Sequence, residues 1–312
     1  MTNEALKTAL SDELAKLLPD YPEIVVLCSD SKGSSGFSTF SSQNPENFIE
    51  VGIAEQNEVG IAAGLASAGM KPYVAAPAAF LSARAAEQVK VDVAYSHSNV
   101  KLFGVSGGIS YGALGASHYS VNDIAVMRSF PDLDVFIPSD AMQIRAIARY
   151  SLTTKRGCYI RAGRSPVPVI YKRPEEAFRY GKANMLSDGN DATIIACGEM
   201  TATAIKAASI LEEKGMNIRV LDMPCIKPLD IEAIKRATED TKTIITLEEH
   251  SIYGGLGSAV AETLSESSTP VKIIGFPDEY LITGNSEEIK EHYRMTADAI
   301  AEDVEKFIRN LK

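Results

Sequence analysis

Short apolar runs alternate with longer amphipathic stretches along most of this chain. The runs IVVLCSD, FIEVG, KPYVAAP, VKLFGVS, LDVFIPS and CYIRAG are rich in β-branched residues. Between them lie stretches such as EQNEVGIAAGLASAG and DAMQIRAIARYSL, which have the composition and spacing of helices. Strands that alternate with helices in this way predict an α/β fold built on a doubly wound parallel sheet.

The pattern is interrupted once, after the segment AGRSPVPVIYKRPEEAF, which is rich in proline and charge. Beyond it a second series of apolar runs begins, formed by ATIIACG, IRVLDMP, KTIITLEE and VKIIGFP. We therefore predict two doubly wound domains, over residues 1–175 and 191–312, joined by a linker over 176–190. The length of 312 residues agrees, since a typical domain has about 150.

Charge and hydropathy exclude several kinds of partner. The formal net charge is −10 and no run is rich in lysine or arginine, so neither a nucleic acid nor an anionic membrane is expected as the main partner. No apolar run approaches the ~18 residues of a membrane-spanning helix. The first 18 residues have the period of an amphipathic helix and contain acids, unlike a signal peptide. We therefore expect a cytoplasmic protein.

The cysteines do not suggest a metal site or a disulfide framework. They are far apart, lie in or beside apolar runs and lack CxxC spacing, so we interpret them as buried thiols: Cys28, Cys158, Cys197 and Cys225.

A carboxylate stands where one apolar run turns into a helix. In FIEVGIAEQNEVGIAAG, Glu55 begins the Ala/Gly-rich helical part, and a buried carboxylate requires a partner. From the residues alone, two interpretations stay open: an ordinary acid in a solvated first helical turn, or a carboxylate that faces a cleft. A glycine-rich segment, Val105 to Ser120, follows a predicted strand at the end where open α/β sheets bind ligands.

Three segments together resemble a known family. FIEVGIAEQNEVGIAAGLASAGMKPYVAAPAAF, GASHYSVNDIAVMRSFPDLDVFIPSD and LDMPCIKPLD occur in the order found in the C-terminal half of transketolases, in the form split into two chains. The likeness extends from about Leu6 to Leu311. It implies that the chain supplies the pyrimidine-binding domain of a thiamine diphosphate site and the transketolase C-terminal domain.

The resemblance assigns the cofactor contacts. The glutamate that matches Glu55 hydrogen-bonds N1' of the aminopyrimidine and favours the imino tautomer, which removes the proton from the thiazolium C2. Phe80 matches a segment whose aromatic residues pack on the pyrimidine ring, although taken alone it would be interpreted as plain core. Asp30 matches an aspartate near the cofactor. Thus Glu55 is the predicted catalytic residue.

The resemblance also implies a substrate site. Ser34 matches a serine that contacts the phosphate of the sugar, and His118 matches a histidine near the anionic end of the substrate. Arg161 and Arg164, in YIRAGRSP, match the phosphate-binding arginine segment, and the register leaves both as candidates. Without the resemblance, these side chains would be interpreted as turn residues, a structural histidine and surface arginines.

One half of the expected site is absent from the sequence. In the family, Mg²⁺ and the diphosphate are held by a Gly-Asp-Gly segment and a later asparagine of the N-terminal domain, and no such pair occurs here. No metal ligands are therefore predicted on this chain. We expect an N-terminal partner subunit, an α2β2 heterotetramer, and sugar or sugar-phosphate substrates.

Two other functions remain open at this stage. One is the β subunit of a 2-oxoacid dehydrogenase E1, which shares the architecture, and the other is a non-catalytic assembly subunit. GGLGSA and EEH resemble parts of a dinucleotide loop and of a metal site, but their spacing and context favour structural roles.

The chain departs from the family at four positions near the expected sugar site. Ser106 and Leu114 replace a histidine and an aspartate that contact donor hydroxyls, and Asn3 and Glu4 stand where a phosphate-binding arginine is common. We expect transfer of a two-carbon ketol unit from a ketose donor to an aldose acceptor. Two interpretations of the departures stay open: the donor is an unusual or modified sugar, or residues of the partner chain or water replace the missing contacts.

Overall fold

The computed structural model describes residues 2–311, which form two α/β domains joined by a short connector. The strands are β1 (Asn3–Glu4), β2 (Ile24–Cys28), β3 (Phe48–Glu50), β4 (Lys71–Pro77), β5 (Lys101–Val105), β6 (Leu133–Phe136), β7 (Gly157–Ala162), β8 (Val167–Pro168), β9 (Asn184–Ser187), β10 (Ala192–Ala196), β11 (Ile218–Asp222), β12 (Cys225–Lys227), β13 (Ile244–Ser251) and β14 (Val271–Phe276).

Helices separate most of these strands. They are α1 (Leu6–Leu17), α2 (Ser38–Gln43), α3 (Glu55–Ser67), α4 (Ala86–Gln88), α5 (Asp123–Ser129), α6 (Ala141–Thr153), α7 (Pro174–Ala177), α8 (Met200–Glu213), α9 (Ile231–Asp240), α10 (Leu256–Thr263), α11 (Ser286–His292) and α12 (Ala297–Asn310). Short 3₁₀ turns occupy Pro45–Asn47 and Gly112–Leu114, and two segments are π-helical, Phe80–Arg84 and Val89–Tyr95.

The first sheet has seven strands in the order β12-β6-β7-β5-β4-β2-β3, and all neighbours are parallel except β12 and β6. The second has five in the order β14-β13-β10-β11-β9, parallel except for β9. The predicted fold class of two doubly wound α/β domains is thereby confirmed. The exact domain boundaries stay a prediction.

Four short strands were not predicted from the sequence, β1, β8, β9 and β12, and β12 changes the architecture most. After β11 in the second sheet, the chain crosses over, and β12 pairs antiparallel with the edge strand β6 of the first sheet. The crossover lies in the segment after LDMP, where the apolar run is too short to predict a strand or the strand that it pairs with. The two domains are consequently joined by backbone hydrogen bonds as well as by the connector.

The core lies on both faces of the first sheet because successive strand residues point in opposite directions. In β2, Val25 and Leu27 belong to one hydrophobic cluster, whereas Ile24, Val26 and Cys28 belong to the other. The second domain has its own cluster, which includes residues of β10, β13 and α12. All four cysteines are free and buried, in line with the sequence analysis.

Within residues 2–311, none of the helices combines the length and the apolar character that crossing a bilayer requires. The amphipathic N-terminal helix predicted from the sequence is α1, which buries Leu6, Leu10 and Leu14 against the first domain.

Candidate functional site

The carboxyl ends of four neighbouring parallel strands define one edge of the first sheet. Asp30 follows β2, Glu55 follows β3, Phe80 follows β4, and the glycine-rich segment follows β5. Strand order places β5, β4, β2 and β3 side by side, so these segments meet at the edge where open α/β sheets bind ligands.

Asp30 lies in a left-handed turn that two carboxylates hold in place. Its φ of 54° is unusual for a residue other than glycine. The backbone N–H of Asp30 donates to Glu50 Oε1 at 2.7 Å, and the hydroxyl of the preceding Ser29 donates to Glu58 Oε2 at 2.7 Å. These bonds offset the backbone strain and leave the Asp30 side chain exposed at the sheet edge.

Glu55 is the first residue of α3, and its side chain is only 2% exposed. Its partner is Arg84, whose Nη1 donates to Oε2 at 2.6 Å. No hydrogen bond within residues 2–311 reaches the other oxygen, Oε1. The buried carboxylate is thus compensated on one oxygen and available to a ligand on the other.

Glu58 lies one helical turn beyond Glu55 and is fully buried. Burial raises the pKa of Glu58 to about 7, although hydrogen bonds from Ser29 and from the backbone N–H of Ala75 oppose the shift and Glu55 adds to it. This second carboxyl group supports the turn that carries Asp30. Glu58 was not among the residues predicted from the sequence, although a spacing of three residues on a helix places it on the same face as Glu55.

Aromatic rings lead from Glu55 toward the outside of the cleft. The Arg84 guanidinium carbon lies 4.4 Å from the centre of the Phe80 ring, and Phe80 meets the His118 ring at 5.3 Å between centroids. His118 in turn contacts Tyr111, with centroids 5.7 Å apart. Phe80 and His118, both predicted from the sequence, are therefore neighbours.

Two cations stand at the outer end of this line of rings. The guanidinium of Arg164 lies over Tyr111 at 5.0 Å, and Lys7 Nζ donates to the backbone carbonyl of Ser34 at 3.0 Å. Burial and the nearby positive charge of Arg164 lower the pKa of Lys7, against the effect of Tyr111. Neither cation forms an ion pair within the described part of the chain. Such a pair of cations is suited to an anionic ligand.

Arg161 lies in a different environment from Arg164. It is only 7% exposed, its Nε lies 2.9 Å from Asp123 Oδ2, and its Nη2 donates to the carbonyl of Glu249 at 2.8 Å. Burial alone would lower the pKa of Arg161, but Asp123 and Glu249 outweigh it and raise the pKa. The geometry therefore favours Arg164 over Arg161 as the candidate for anion binding.

The family departures seen in the sequence have structural counterparts. Glu4 forms an ion pair with Arg145, so its negative charge is compensated within the chain. Ser106 is buried with φ 59°, and Leu114 is more than half exposed on the glycine-rich segment. Lys7, four residues after Asn3, supplies the positive charge that the sequence analysis found missing at that end.

The two motifs set aside in the sequence have structural roles. Glu248, from EEH, accepts hydrogen bonds from the backbone N–H groups of Leu256 and Gly257 at 2.7 Å each, and so caps α10, which GGLGSA begins. Those N–H groups are thereby satisfied within the chain and are not directed at a dinucleotide.

The residues at the cleft fit the pyrimidine half of thiamine diphosphate. The Glu55 side chain is buried, its Oε1 accepts no hydrogen bond from the described residues, and Phe80 provides an aromatic ring nearby. No group of three or more His, Cys, Asp or Glu within residues 2–311 is arranged to hold a metal ion.

Comparisons with known proteins agree with this division. Residues 3–169 match the family model described as "Transketolase, pyrimidine binding domain", and residues 181–300 match "Transketolase, C-terminal domain". A solved structure described as "Split gene transketolase, inactive beta4 tetramer" is 40% identical, with a TM-score of 0.89 over 98% of both chains.

Two curated relatives are similar over nearly their whole length. A subunit of the apulose-4-phosphate transketolase of Phocaeicola vulgatus is 48% identical over 305 residues, which cover 98% of this chain and 98% of that protein. A subunit of the 6-deoxy-6-sulfo-D-fructose transketolase of Clostridium sp. is 38% identical over 296 residues, which cover 93% of this chain and 92% of that protein.

Proposed function

This chain belongs to the transketolase family, as a subunit of the split form, and on that basis we propose which residues form its cofactor site and which sugar is its donor. The β subunit of a 2-oxoacid dehydrogenase E1 is not favoured, since the similar proteins of full length are transketolase subunits. The candidate site with a buried, half-compensated carboxylate argues against a non-catalytic assembly role.

The chain's own residues divide the work at the cofactor. Glu55 presents Oε1 to N1' of the aminopyrimidine, where it holds and returns a proton, and Phe80 packs on the ring. Asp30, held by its turn, lines the same edge. When bound, thiamine diphosphate supplies the nucleophilic carbon and the electron sink needed to move a two-carbon ketol unit.

A partner subunit completes the site. We expect an N-terminal transketolase chain to hold Mg²⁺ and the diphosphate, in an α2β2 assembly, because the described residues of this chain offer no metal ligand group. The similar tetramer of β chains is described as inactive, which supports this division of labour. A cytoplasmic location stays a prediction.

The substrate proposal rests on two neighbouring cations, Lys7 and Arg164, which form no ion pair within the described residues. Both lie at the outer end of the ring line that starts at Glu55, beside Ser34 and His118. A ketose bound with its reacting carbonyl near Glu55 would place a terminal phosphate or sulfonate between these cations. The planar guanidinium of arginine and the ammonium group of lysine both bind such oxyanions.

The donor is a modified ketose, with apulose 4-phosphate as the first candidate. The relative with 48% identity is named for that sugar, and another relative is named for a sulfonated fructose. In this chain, Leu114 cannot accept a hydrogen bond from a donor hydroxyl, and Ser106 is buried. The region that contacts hydroxyls in ordinary donors is therefore altered, while the anion end keeps its charge.

The test is a comparison of kcat/KM for apulose 4-phosphate, 6-deoxy-6-sulfo-D-fructose and xylulose 5-phosphate, with the partner subunit and Mg²⁺ present. We expect apulose 4-phosphate to lead. Preference for xylulose 5-phosphate, with kcat/KM above ~10⁴ M⁻¹s⁻¹, would refute the modified donor.

Lys7→Met tests the anion end in the same assay. We expect about a tenfold or greater loss of kcat/KM for the phosphorylated donors, because one charge-assisted contact is removed. Lys16→Met is the matched control, since Lys16 is an exposed lysine in the last turn of the same helix. Equal values for both variants would show that Lys7 does not bind the anion.

A further inference from the structure

We propose that Arg84 is a positioning residue of the cofactor site, which holds Glu55 and Phe80 together as one unit. The inference rests on the proposed function and extends it to a side chain that the sequence analysis did not single out. It concerns how the two groups that meet the pyrimidine are oriented before the cofactor binds.

The contact with Glu55 restrains the carboxylate. Arg84 Nη1 lies 2.6 Å from Oε2, and no other hydrogen bond of the Glu55 carboxylate occurs within residues 2–311. A glutamate side chain that is fixed at one oxygen by a charge-assisted hydrogen bond has a defined direction for the other oxygen. Without Arg84, the buried carboxylate would lose its orientation and the one counter-ion that it has among residues 2–311.

The contact with Phe80 restrains the ring. The guanidinium carbon lies 4.4 Å from the ring centre, a distance at which a cation is attracted to the face of an aromatic ring. His118 meets the same ring at an interplanar angle of 67°, so two side chains contact Phe80. A planar guanidinium can pack on the ring while one nitrogen bonds Glu55, which an ammonium group cannot do equally well.

The backbone explains why the two residues meet. Phe80–Arg84 is a π-helical segment, in which the N–H of Ala85 bonds the carbonyl of Phe80 at 3.1 Å. A π-helix has a wider turn than an α-helix, and single π turns often occur at functional sites. In this turn, side chains four residues apart lie over one another, which places Arg84 on Phe80 and within reach of Glu55.

The experiment uses the chain assembled with its N-terminal partner. Binding of thiamine diphosphate in the presence of Mg²⁺ is measured by calorimetry, and the melting temperature is measured without cofactor. Two variants are compared. Arg84→Met removes the charge, whereas Arg84→Lys keeps the charge but lacks the planar guanidinium. If the methionine variant does not fold, the lysine variant alone tests the proposal.

Arg156→Met is the matched control. Arg156 is 42% exposed and binds the buried Asp134 at 2.9 Å, whereas Arg84 is 45% exposed and binds the buried Glu55. Both substitutions remove a half-exposed guanidinium from a buried carboxylate, but Asp134 lies in β6 and has no predicted role at the cofactor. Both should lower the melting temperature.

We expect Arg84→Met to raise the Kd for the cofactor by about tenfold or more, Arg84→Lys to give an intermediate Kd, and Arg156→Met to leave it unchanged. An Arg84→Met or Arg84→Lys protein with unchanged or tighter cofactor binding would overturn the inference, and tighter binding would mean that Arg84 competes with the cofactor. If the wild-type assembly did not bind thiamine diphosphate at all, the proposed function itself would fail.

Discussion

Arg84 with Glu55 and Arg161 with Asp123 are two arginine–carboxylate pairs of similar chemistry in different surroundings. Each carboxylate is buried, at 2% and 0% exposure, but the guanidinium is 45% exposed in the first pair and 7% in the second. Around Arg161, two backbone carbonyls accept further hydrogen bonds from the guanidinium. One oxygen of each carboxylate has no hydrogen bond in the described residues, but Asp123 Oδ1 is enclosed by the protein, whereas Glu55 Oε1 lies at the sheet edge.

The second pair joins the two domains. Glu249 comes from β13, accepts the N–H of Ile109 at 3.0 Å and lies 3.2 Å from Lys290. The glycine-rich segment fits against this cluster because a Cβ at Gly107 would overlap the side chain of Arg161. We call Arg161 and Asp123 the sealed pair, because it is enclosed by other parts of the chain and stabilises the fold. We call Arg84 and Glu55 the open pair, because Glu55 Oε1 at the sheet edge can accept a hydrogen bond from a ligand.

The largest expected effect comes from the open pair. Glu55→Gln should reduce turnover by at least about 10²-fold, because the amide is nearly isosteric but cannot hold and return the proton at N1'. Turnover is measured with partner and saturating cofactor, and the melting temperature confirms folding. Retention of more than about a tenth of the wild-type rate would refute the catalytic role of Glu55. The two arginine–carboxylate pairs could then not be distinguished as functional and structural.

The sealed pair should affect stability instead. Arg161→Met leaves Asp123 buried without its counter-ion, so we expect the free energy of unfolding to fall by about 3–5 kcal/mol. The same change at Arg84 should cost clearly less than at Arg161, because Arg84 is 45% exposed and water can replace its guanidinium beside Glu55. Denaturant unfolding of both variants is the measurement, and an equal loss would show that exposure does not separate the pairs.

Glu58 sharpens the comparison because this buried carboxyl group has no counter-ion contact in the described residues. Burial raises its pKa to about 7 from 4.5, so between these values the folded chain binds a proton that the unfolded chain does not. The contribution of Glu58 to the free energy of unfolding therefore decreases as pH rises through this window, by at most about 3 kcal/mol, and is constant above it.

Glu58→Gln removes that dependence. Relative to wild type, the variant should gain stability between pH 5 and pH 8, as measured by urea unfolding at both values. A difference between variant and wild type that does not change with pH would mean that Glu58 titrates at its ordinary value.

Local patterns were sufficient to predict the main parallel strands and therefore the fold class. The site residues Asp30, Glu55, Phe80 and His118 were assigned from the resemblance to the transketolase family, since the residues alone left two interpretations of Glu55 open. Each of these side chains follows a strand or lies in the segment after one, which is why a match of local motifs could find them.

Contacts between distant residues could not be predicted in this way. Arg84 binds Glu55 across 29 residues, and Lys7 Nζ donates to a carbonyl 27 residues away. Arg161 and Arg164 are three residues apart and share a motif, yet one is sealed between domains and the other is exposed. Which arginine faces the cleft depends on the packing of β7 against the second domain, for which a single sequence carries no signal.

The central claim is that this chain supplies one half of a thiamine diphosphate site. Calorimetry tests it directly, with thiamine diphosphate and Mg²⁺ titrated into the isolated chain and into an equimolar mixture with the N-terminal partner. We predict no tight binding to the isolated chain, and Mg²⁺-dependent binding together with ketol transfer in the mixture. Micromolar, Mg²⁺-dependent binding to the isolated chain would contradict the account.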